Sequence, residues 1–333
     1  MVNRKTALIA IRLILVSLIM VSCAVKKPQI QHPWAYKSSD YSLYKIKNKE
    51  SFAHIAKTCL GNENLAWKIE EANDIASLRD GSLVVVPLKE RHKGGLFENG
   101  YQCIPILCYH KFGPRRHSPL TMPPDVFNKQ MKYLKDNGYR VINPAQLLCF
   151  LKYRCEIPKK SVMITIDDGY KSVYDIAWPI LKKYNFTATL FVYINYIGIS
   201  KKALSWDNLR VLKAHGFTIG SHTVSHADLT HKEQGEKTDA FYLRIKRELL
   251  LSKQIIDKKL GQNTIVLAFP YGRSNQTVLK TAKSVGYKIA VTVDRGSNPF
   301  FTNSLALKRD MILKKDMTSF ISRLKTFNTV SLR

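Results

Sequence analysis

The sequence predicts an α/β protein: a barrel or partial barrel of parallel strands with helices outside, preceded by a small βααβ unit. Three observations carry this. From about residue 103 onward, short apolar runs alternate with segments of helical period, and six or more such units follow one another. The chain has 333 residues, enough for one large domain and one small one. Its 45 % hydrophobic content supplies a core and excludes wholesale disorder. No uncharged stretch of about 18 residues lies beyond the N-terminus, which excludes a polytopic membrane protein.

The elements follow in order. Arg4, Lys5 and Arg12 precede the apolar run 13–21, which ends in Ser22-Cys23-Ala24. Charged, then apolar, then small is the order of a secretory signal. Cys23 after Met20-Val21-Ser22 resembles a bacterial lipoprotein cleavage site. That resemblance implies a signal peptide over 1–22, lipid on Cys23, and a cell-envelope location facing the periplasm or the exterior. Residues 23–42 are polar with Pro and Ser and are expected to be a tether. Export demotes nucleic acid as a partner for the net charge of +28 and promotes membrane surface and wall polymer. Of the six Cys, five remain besides Cys23, an odd number, so at least one thiol is unpaired or pairs between chains. Export permits disulfides, although Cys108 and Cys149 stand in apolar runs that equally suit buried thiols.

Residues 43–88 form the small unit. Tyr44-Lys45-Ile46 alternates like a strand; Ser51 opens a helix with Phe52, Ile55 and Ala56 on one face, which Gly61 stops. Leu65, Ile69 and Ala72 mark a second helix ending at Asn73, and Leu83–Val86 is a closing strand. The unit resembles a LysM module through Tyr44, Ser51, Gly61, Trp67, Asn73, Leu78, Gly81 and Val85-Val86-Pro87. The resemblance implies binding of N-acetylglucosamine glycans; a packing unit without ligand is the alternative. Residues 89–102, charged and glycine-containing, read as a linker.

In the large unit, 103–325, apolar runs at 104–109, 161–166, 187–193, 217–220, 264–269 and 287–293 read as strands. Helical periods fall near 127–136, 172–184, 206–214, 238–260 and 275–285. In such a fold the chemistry gathers where strands end. The run at 161 ends in Asp167-Asp168-Gly169, that at 217 in Ser221-His222 with His226 four residues on, that at 264 in Pro270-Tyr271-Gly272, and that at 104 in Tyr109-His110. One Asp and two His form a facial ligand set with open positions for water, as a hydrolytic metal needs. A second adjacent carboxylate then has a different role. Separately, Asp-Asp-Gly and Pro-Tyr-Gly are ordinary turns and a His pair at i, i+4 is an ordinary helix face. Thr223 also excludes the metalloprotease helix motif. Their joint occurrence, each after a strand, singles them out.

Thr165–Gly169, Ser221–His226 and Phe269–Gly272 together resemble the polysaccharide deacetylase family, over about residues 104–312. Cys108-Tyr109-His110-Lys111-Phe112 is similar to the opening strand of the branch that deacetylates exported poly-N-acetylglucosamine. The resemblance implies a distorted (β/α)7-type barrel. It also implies Asp167 as general base and Asp168, His222 and His226 as ligands of a metal, usually zinc, with cobalt or nickel as alternatives. The Tyr271 amide, following Pro270, would hold the oxyanion. Two departures matter. Ala268-Phe269 stand where many members carry Arg, and Leu307-Lys308-Arg309 stands where many carry a late His that protonates the leaving amine. His110 as the acid, Arg309 pairing with Asp167 while water protonates the amine, and an impaired site are the competing explanations. The implied function is removal of N-acetyl groups from N-acetylglucosamine residues of peptidoglycan or poly-N-acetylglucosamine. A wall-glycan adaptor and a polysaccharide O-acetyl esterase are the alternatives.

Overall fold

The computed structural model describes residues 34–330, apart from 48, 76 and 115–117. The signal read over 1–22 and the lipidation residue Cys23 lie outside the described residues. Among the described residues no helix is long and apolar enough to cross a membrane. The chain divides into two compact units, the first ending at Lys89 and the second beginning at Glu90.

The small unit runs β1 (Trp34–Lys37), β2 (Tyr41–Lys45), α1 (Phe52–Leu60), α2 (Ala66–Asn73) and β3 (Leu83–Pro87). Its sheet is antiparallel in the order β1-β2-β3. The Ser51 hydroxyl accepts from the His54 amide and caps α1, and Gly61 ends the helix at φ 73°. Tyr44, Ile46, Ile55, Ala56, Ile69, Val84 and Val86 are its core. The Asn73 side chain donates to the Ile69 and Val85 carbonyls and accepts from the Val85 amide, tying α2 to β3. One expectation is corrected: β1 lies inside the stretch read as a tether. Four residues are too few to show a hydrophobic period, but Trp34 packs edge-on against Tyr44 at 5.9 Å and β1 pairs with β2.

The large unit begins with β4 (Leu96–Phe97), β5 (Gly100–Gln102), β6 (Ile104–Tyr109), β7 (Lys111–Phe112) and β8 (Thr121–Met122). Then come α3 (Pro124–Asp136), β9 (Arg140–Val141), α4 (Pro144–Leu151) and β10 (Ser161–Asp168). A π-helical turn, Val173–Ala177, runs into α5 (Trp178–Lys183), followed by β11 (Thr189–Val192), α6 (Trp206–Ala214) and β12 (Thr218–Ser221). The long α7 (Thr238–Leu260), β13 (Val266–Ala268), α8 (Gln276–Val285) and β14 (Ile289–Val291) complete the alternation. The chain ends with β15 (Ser297–Asn298), β16 (Asp310–Met311), α9 (Met317–Ile321) and β17 (Phe327–Thr329).

The main sheet is parallel in the order β14-β13-β12-β11-β10-β6, with β16 parallel and β15 antiparallel to β6. Leu307 also pairs in parallel with Val291 on β14. The stretch 304–312 thus bonds to both edges: the Leu307 amide donates to the Ala290 carbonyl at 2.9 Å, and that of Ile312 to the Cys108 carbonyl at 3.0 Å. It is the seventh stave, and the barrel closes.

Side-chain alternation sorts the core. Ile104, Ile106, Met163, Phe191, Val266, Ala268, Ile289, Val291 and Leu307 form one cluster, on the inner side of the strands. Their neighbours Leu107, Tyr109, Ile164, Ile166, Leu190, Val192 and Ile219 pack against the helices. Gly220 is glycine because a Cβ there would stand 2.7 Å from both Phe191 and Val266.

Further corrections concern the boundaries. Residues 89–102 are no linker, because β4 and β5 form a small sheet with β17, which itself lies beyond the expected end at 325. Gly, Glu and Lys hid these two- and three-residue strands from a period-2 reading. The helix at 144–151 was missed as well; its start is set by an Asn143/Gln146 capping box with Pro144 at the first position. Cys149 and Cys155 are joined in a disulfide, while Cys59, Cys103 and Cys108 are free.

Candidate metal and catalytic site

Every strand end singled out in the sequence reaches the same rim, and the local backbone explains how. Asp168, Thr223, His226 and Tyr271 all have positive φ, half of the eight non-glycine residues that do among the described ones. Such conformations are held only where the surroundings over-determine them, and they concentrate at functional sites. The Pro270–Gly272 turn after β13 has the same character. Gly272, at φ 70°, would place a Cβ 2.5 Å from the Val293 amide nitrogen, so no larger residue fits.

Asp168 Oδ1 lies 3.7 Å from His222 Nε2 and 3.6 Å from His226 Nε2. Tetrahedral ligands at ~2.1 Å from an ion stand about 3.4 Å apart, so the three atoms fit one divalent metal. The chemistry of the donors agrees. Burial lowers both imidazoles, His222 to about 4, so both are neutral, as a metal ligand must be. His222 Nδ1 lies 2.7 Å from the Ala268 carbonyl, an N–H donor's place, which leaves the Nε2 lone pair on the Asp168 side. Burial, and then the Asp167 charge, push the Asp168 carboxyl up to about 7. That is the state of an acid lacking a cation. His222 and His226 lie on a loop after β12, not on a helix face.

Asp167 is arranged differently. It is 2 % exposed, and the fully buried Arg309 donates two parallel bonds to it, Nη1 to Oδ1 at 2.8 Å and Nη2 to Oδ2 at 2.7 Å. Burial alone would raise this carboxyl; the charges of Arg309 and His222 outweigh it and hold the group well below the usual carboxylate range. Arg309 also donates to the Thr165 hydroxyl and to the Thr292 carbonyl, and its guanidinium lies 5.6 Å from the Phe191 ring. It therefore supplies from the closing stave the guanidinium that Ala268 cannot supply from β13. His110 and Cys108 face the same carboxylate: one ligand atom from each lies within 4.8 Å of it. Burial lowers His110 and raises the Cys108 thiol, so both are neutral. Tyr271 is 59 % exposed, its ring edge-on to His226 at 4.8 Å, while Pro270 is buried beneath it.

Comparison with known proteins gives the arrangement its context. The family model described as polysaccharide deacetylase matches residues 155–305. YxkH of Bacillus subtilis (strain 168), named as a polysaccharide deacetylase, is 34 % identical over 198 residues, 58 % of this chain and 66 % of that protein. The poly-β-1,6-N-acetyl-D-glucosamine N-deacetylase of Staphylococcus aureus (strain MRSA252) is 26 % identical over 211 residues, 61 % of this chain and 71 % of that enzyme. The chain thus spans about two thirds of the length of these relatives. The Streptococcus pyogenes deacetylase PplD, solved in complex with acetate, superposes with a TM-score of 0.61 at 32 % identity, covering 67 % of this chain and 98 % of that one. The chain belongs to the polysaccharide deacetylase family. It is an enzyme of that class, and its α/β barrel is the family's fold.

One part of this deacetylase's site had no signal in the sequence. The Glu248 carboxylate, from α7, accepts from the Val224 and Ser225 amides and from the Ser225 hydroxyl, all at 2.9 Å. Below it, the Ser221 and Ser252 hydroxyls bond at 2.8 Å, and Ser221 accepts from the Thr223 amide. Helix α7 thus clasps the strained loop between His222 and His226. Glu248 is a positioning residue whose partners are more than twenty residues away, which no local pattern reveals. If Asp168, His222 and His226 hold a divalent metal, Glu248→Ala is expected to weaken its affinity, zinc being the probe, by about 10–100-fold, with Glu248→Gln recovering part of it. Equal zinc affinity in wild type and Glu248→Ala, measured by competition with a chromogenic chelator, would refute the clasp.

Proposed function

We propose that this deacetylase removes N-acetyl groups from N-acetylglucosamine residues of an envelope or exported polysaccharide, with a divalent metal, zinc foremost, held by Asp168, His222 and His226. The observation that carries the reading is the separation of roles on one rim: an Arg-held, ionised carboxylate stands beside an Asp/His/His set that wants a cation. The name of the Staphylococcus relative supports the glycan class. The metal, when bound, supplies a Lewis acid and lowers the pKa of water toward ~7.

The chain's own residues do the rest. Asp167 accepts the proton of the attacking water, its carboxylate oriented by Arg309. The Tyr271 amide, near the start of a helical turn where N–H groups lack intrahelical partners, faces the developing oxyanion. His110, neutral and beside Asp167, passes the proton on to the leaving amine, taking the place of the absent late His. Acetate and a free amine are the products.

The test is acetate release from N-acetylglucosamine oligomers and from peptidoglycan, with zinc or with chelator. Release that needs metal supports the reading. Release only from O-acetylated glycans would replace it with the esterase, and metal binding without any release would favour the glycan adaptor.

The small unit is proposed to hold the glycan as a LysM module does. A cleft of about 550 Å³ lies between residues 49–52 and 77–80, lined by Phe52, Leu78 and the charges of Glu50, Arg79 and Asp80. Ser77→Trp, which fills it, is expected to cut retention on insoluble glycan at least tenfold and leave turnover of short oligomers unchanged. Unaltered retention would remove this role. Lipid anchoring at Cys23 belongs to the same proposal, and fatty-acid labelling lost in Cys23→Ala tests it.

A further inference from the structure

We propose that Tyr170, Tyr193 and Tyr196 form a sugar-stacking shelf beside the metal group, which takes the neighbouring rings of an extended hexosamine chain and not the ring being deacetylated. This rests on the glycan reading above and gives it a requirement for chain length. The three rings make a row that starts at a proposed metal ligand. Tyr193 lies 5.2 Å from the His226 ring, Tyr196 stacks on Tyr193 at 5.3 Å with 21° between planes, and Tyr170 meets Tyr196 edge-on at 5.4 Å. The Asp168 charge acts on all three phenols, which places them around the same site.

The row is not part of the core. In Tyr193-Ile194-Asn195-Tyr196-Ile197 the two isoleucines pack inward, whereas neither tyrosine belongs to a hydrophobic cluster. All three tyrosines are half-open to solvent, and none of their hydroxyls has a hydrogen-bond partner among the described residues. Nor is the row mobile decoration. The Ile194 amide donates to the Thr223 carbonyl at 3.2 Å and the Asn195 amide to the Val224 carbonyl at 2.9 Å, so the turn is bolted to the His222–His226 loop. Tyr170 bridges to Ala203, and the Leu204 amide donates to the Gly169 carbonyl, which fixes the other end. Rigid aromatic faces with free hydroxyls at their edges suit a pyranose, which offers an apolar C–H face and a polar rim. Lys111 adds a cation at the Tyr170 end of the row, its Nζ 5.5 Å from the ring.

The experiment is hydroxyl-radical footprinting of the full, zinc-loaded Asp167→Asn chain with an N-acetylglucosamine hexamer and, separately, with the monosaccharide. Protection of Tyr170, Tyr193 and Tyr196 by the hexamer alone is expected. No protection, or equal protection by the monosaccharide, overturns the shelf, whether or not the wild type proves active. In the active enzyme, Tyr196→Ala should raise KM for the hexamer about tenfold with kcat within twofold, and leave turnover of a small acetyl ester unchanged. Tyr196→Phe, which keeps the stacking face and loses only the hydroxyl, should raise the hexamer KM less than Tyr196→Ala does. Parallel loss on hexamer and small ester would mean a structural role. Absence of acetate release from every glycan, with the footprint present, would sink the proposed reaction and spare the shelf.

Discussion

Asp167→Asn is expected to reduce acetate release by about 10²–10⁴-fold while the zinc content stays at one equivalent. The substitution keeps the shape and one oxygen facing Arg309, but it removes the negative charge that Arg309 pairs with, on a carboxylate outside the proposed ligand set. Asp168→Asn should behave differently, losing metal first and activity as a consequence. The two adjacent carboxylates are thus separable by measuring zinc by mass spectrometry beside turnover. A retained rate above a tenth of wild type in Asp167→Asn would remove it as the base. Loss of metal from that variant would mean the two carboxylates share the ion, contrary to the 4.0 Å between Asp167 and His222 and the full engagement of Asp167 with Arg309.

Arg309→Met is expected to have the largest effect on stability. The pair is fully buried, and removing one partner leaves an uncompensated charge, at a cost of about 3–5 kcal/mol. For a unit of this size that is a fall in Tm on the order of 10 °C. The pH dependence has a definite sign. In the wild type Asp167 titrates below its unfolded value, so the pair stabilises fully above ~pH 4 and is lost as pH falls further. Without Arg309, burial governs and the carboxyl rises. The variant is then most stable in acid, and the gap in Tm to wild type widens from pH 4 to pH 7. The acid limb of kcat/KM should move upward in the variant for the same reason, since the base is ionised only above its new pKa. A constant Tm gap across this range would show that the guanidinium acts through packing on Phe191 and not through charge. Asp167→Asn/Arg309→Met should recover part of the stability of either single change.

Much of the barrel was legible because its strands are buried on both faces. Continuous apolar runs such as 104–109 mark them without ambiguity, and the run at 161 needed only two more residues to reach Asp168. Helices 206–214 and 238–260 lie where the helical period put them. The grouping of Asp168, His222 and His226 was legible because three turns with chemistry each followed a strand. What escaped were elements whose partners are distant in sequence. β4, β5 and β17 are too short to carry a period and exist only by pairing with one another. Trp34–Lys37 needed Tyr44 to become a strand. The bond between Arg309 and Asp167 could be named as one of three explanations, but 142 residues separate the two, and only closure of the sheet decides it. Glu248 and the tyrosine row were invisible for the same reason.

The closing stave has a consequence for when activity appears. The residues proposed to bind metal all lie between Asp168 and His226, yet the guanidinium that pairs with Asp167 arrives on the segment that joins the first strand of the barrel to the last. A chain whose last stave has not yet docked would present the complete proposed ligand set and still carry an unoriented, protonation-prone carboxylate. Long-range pairings of this kind form late, because their loop-closure entropy must be met before they gain contacts. Hydrolytic competence therefore reports that the barrel has shut, and metal uptake does not.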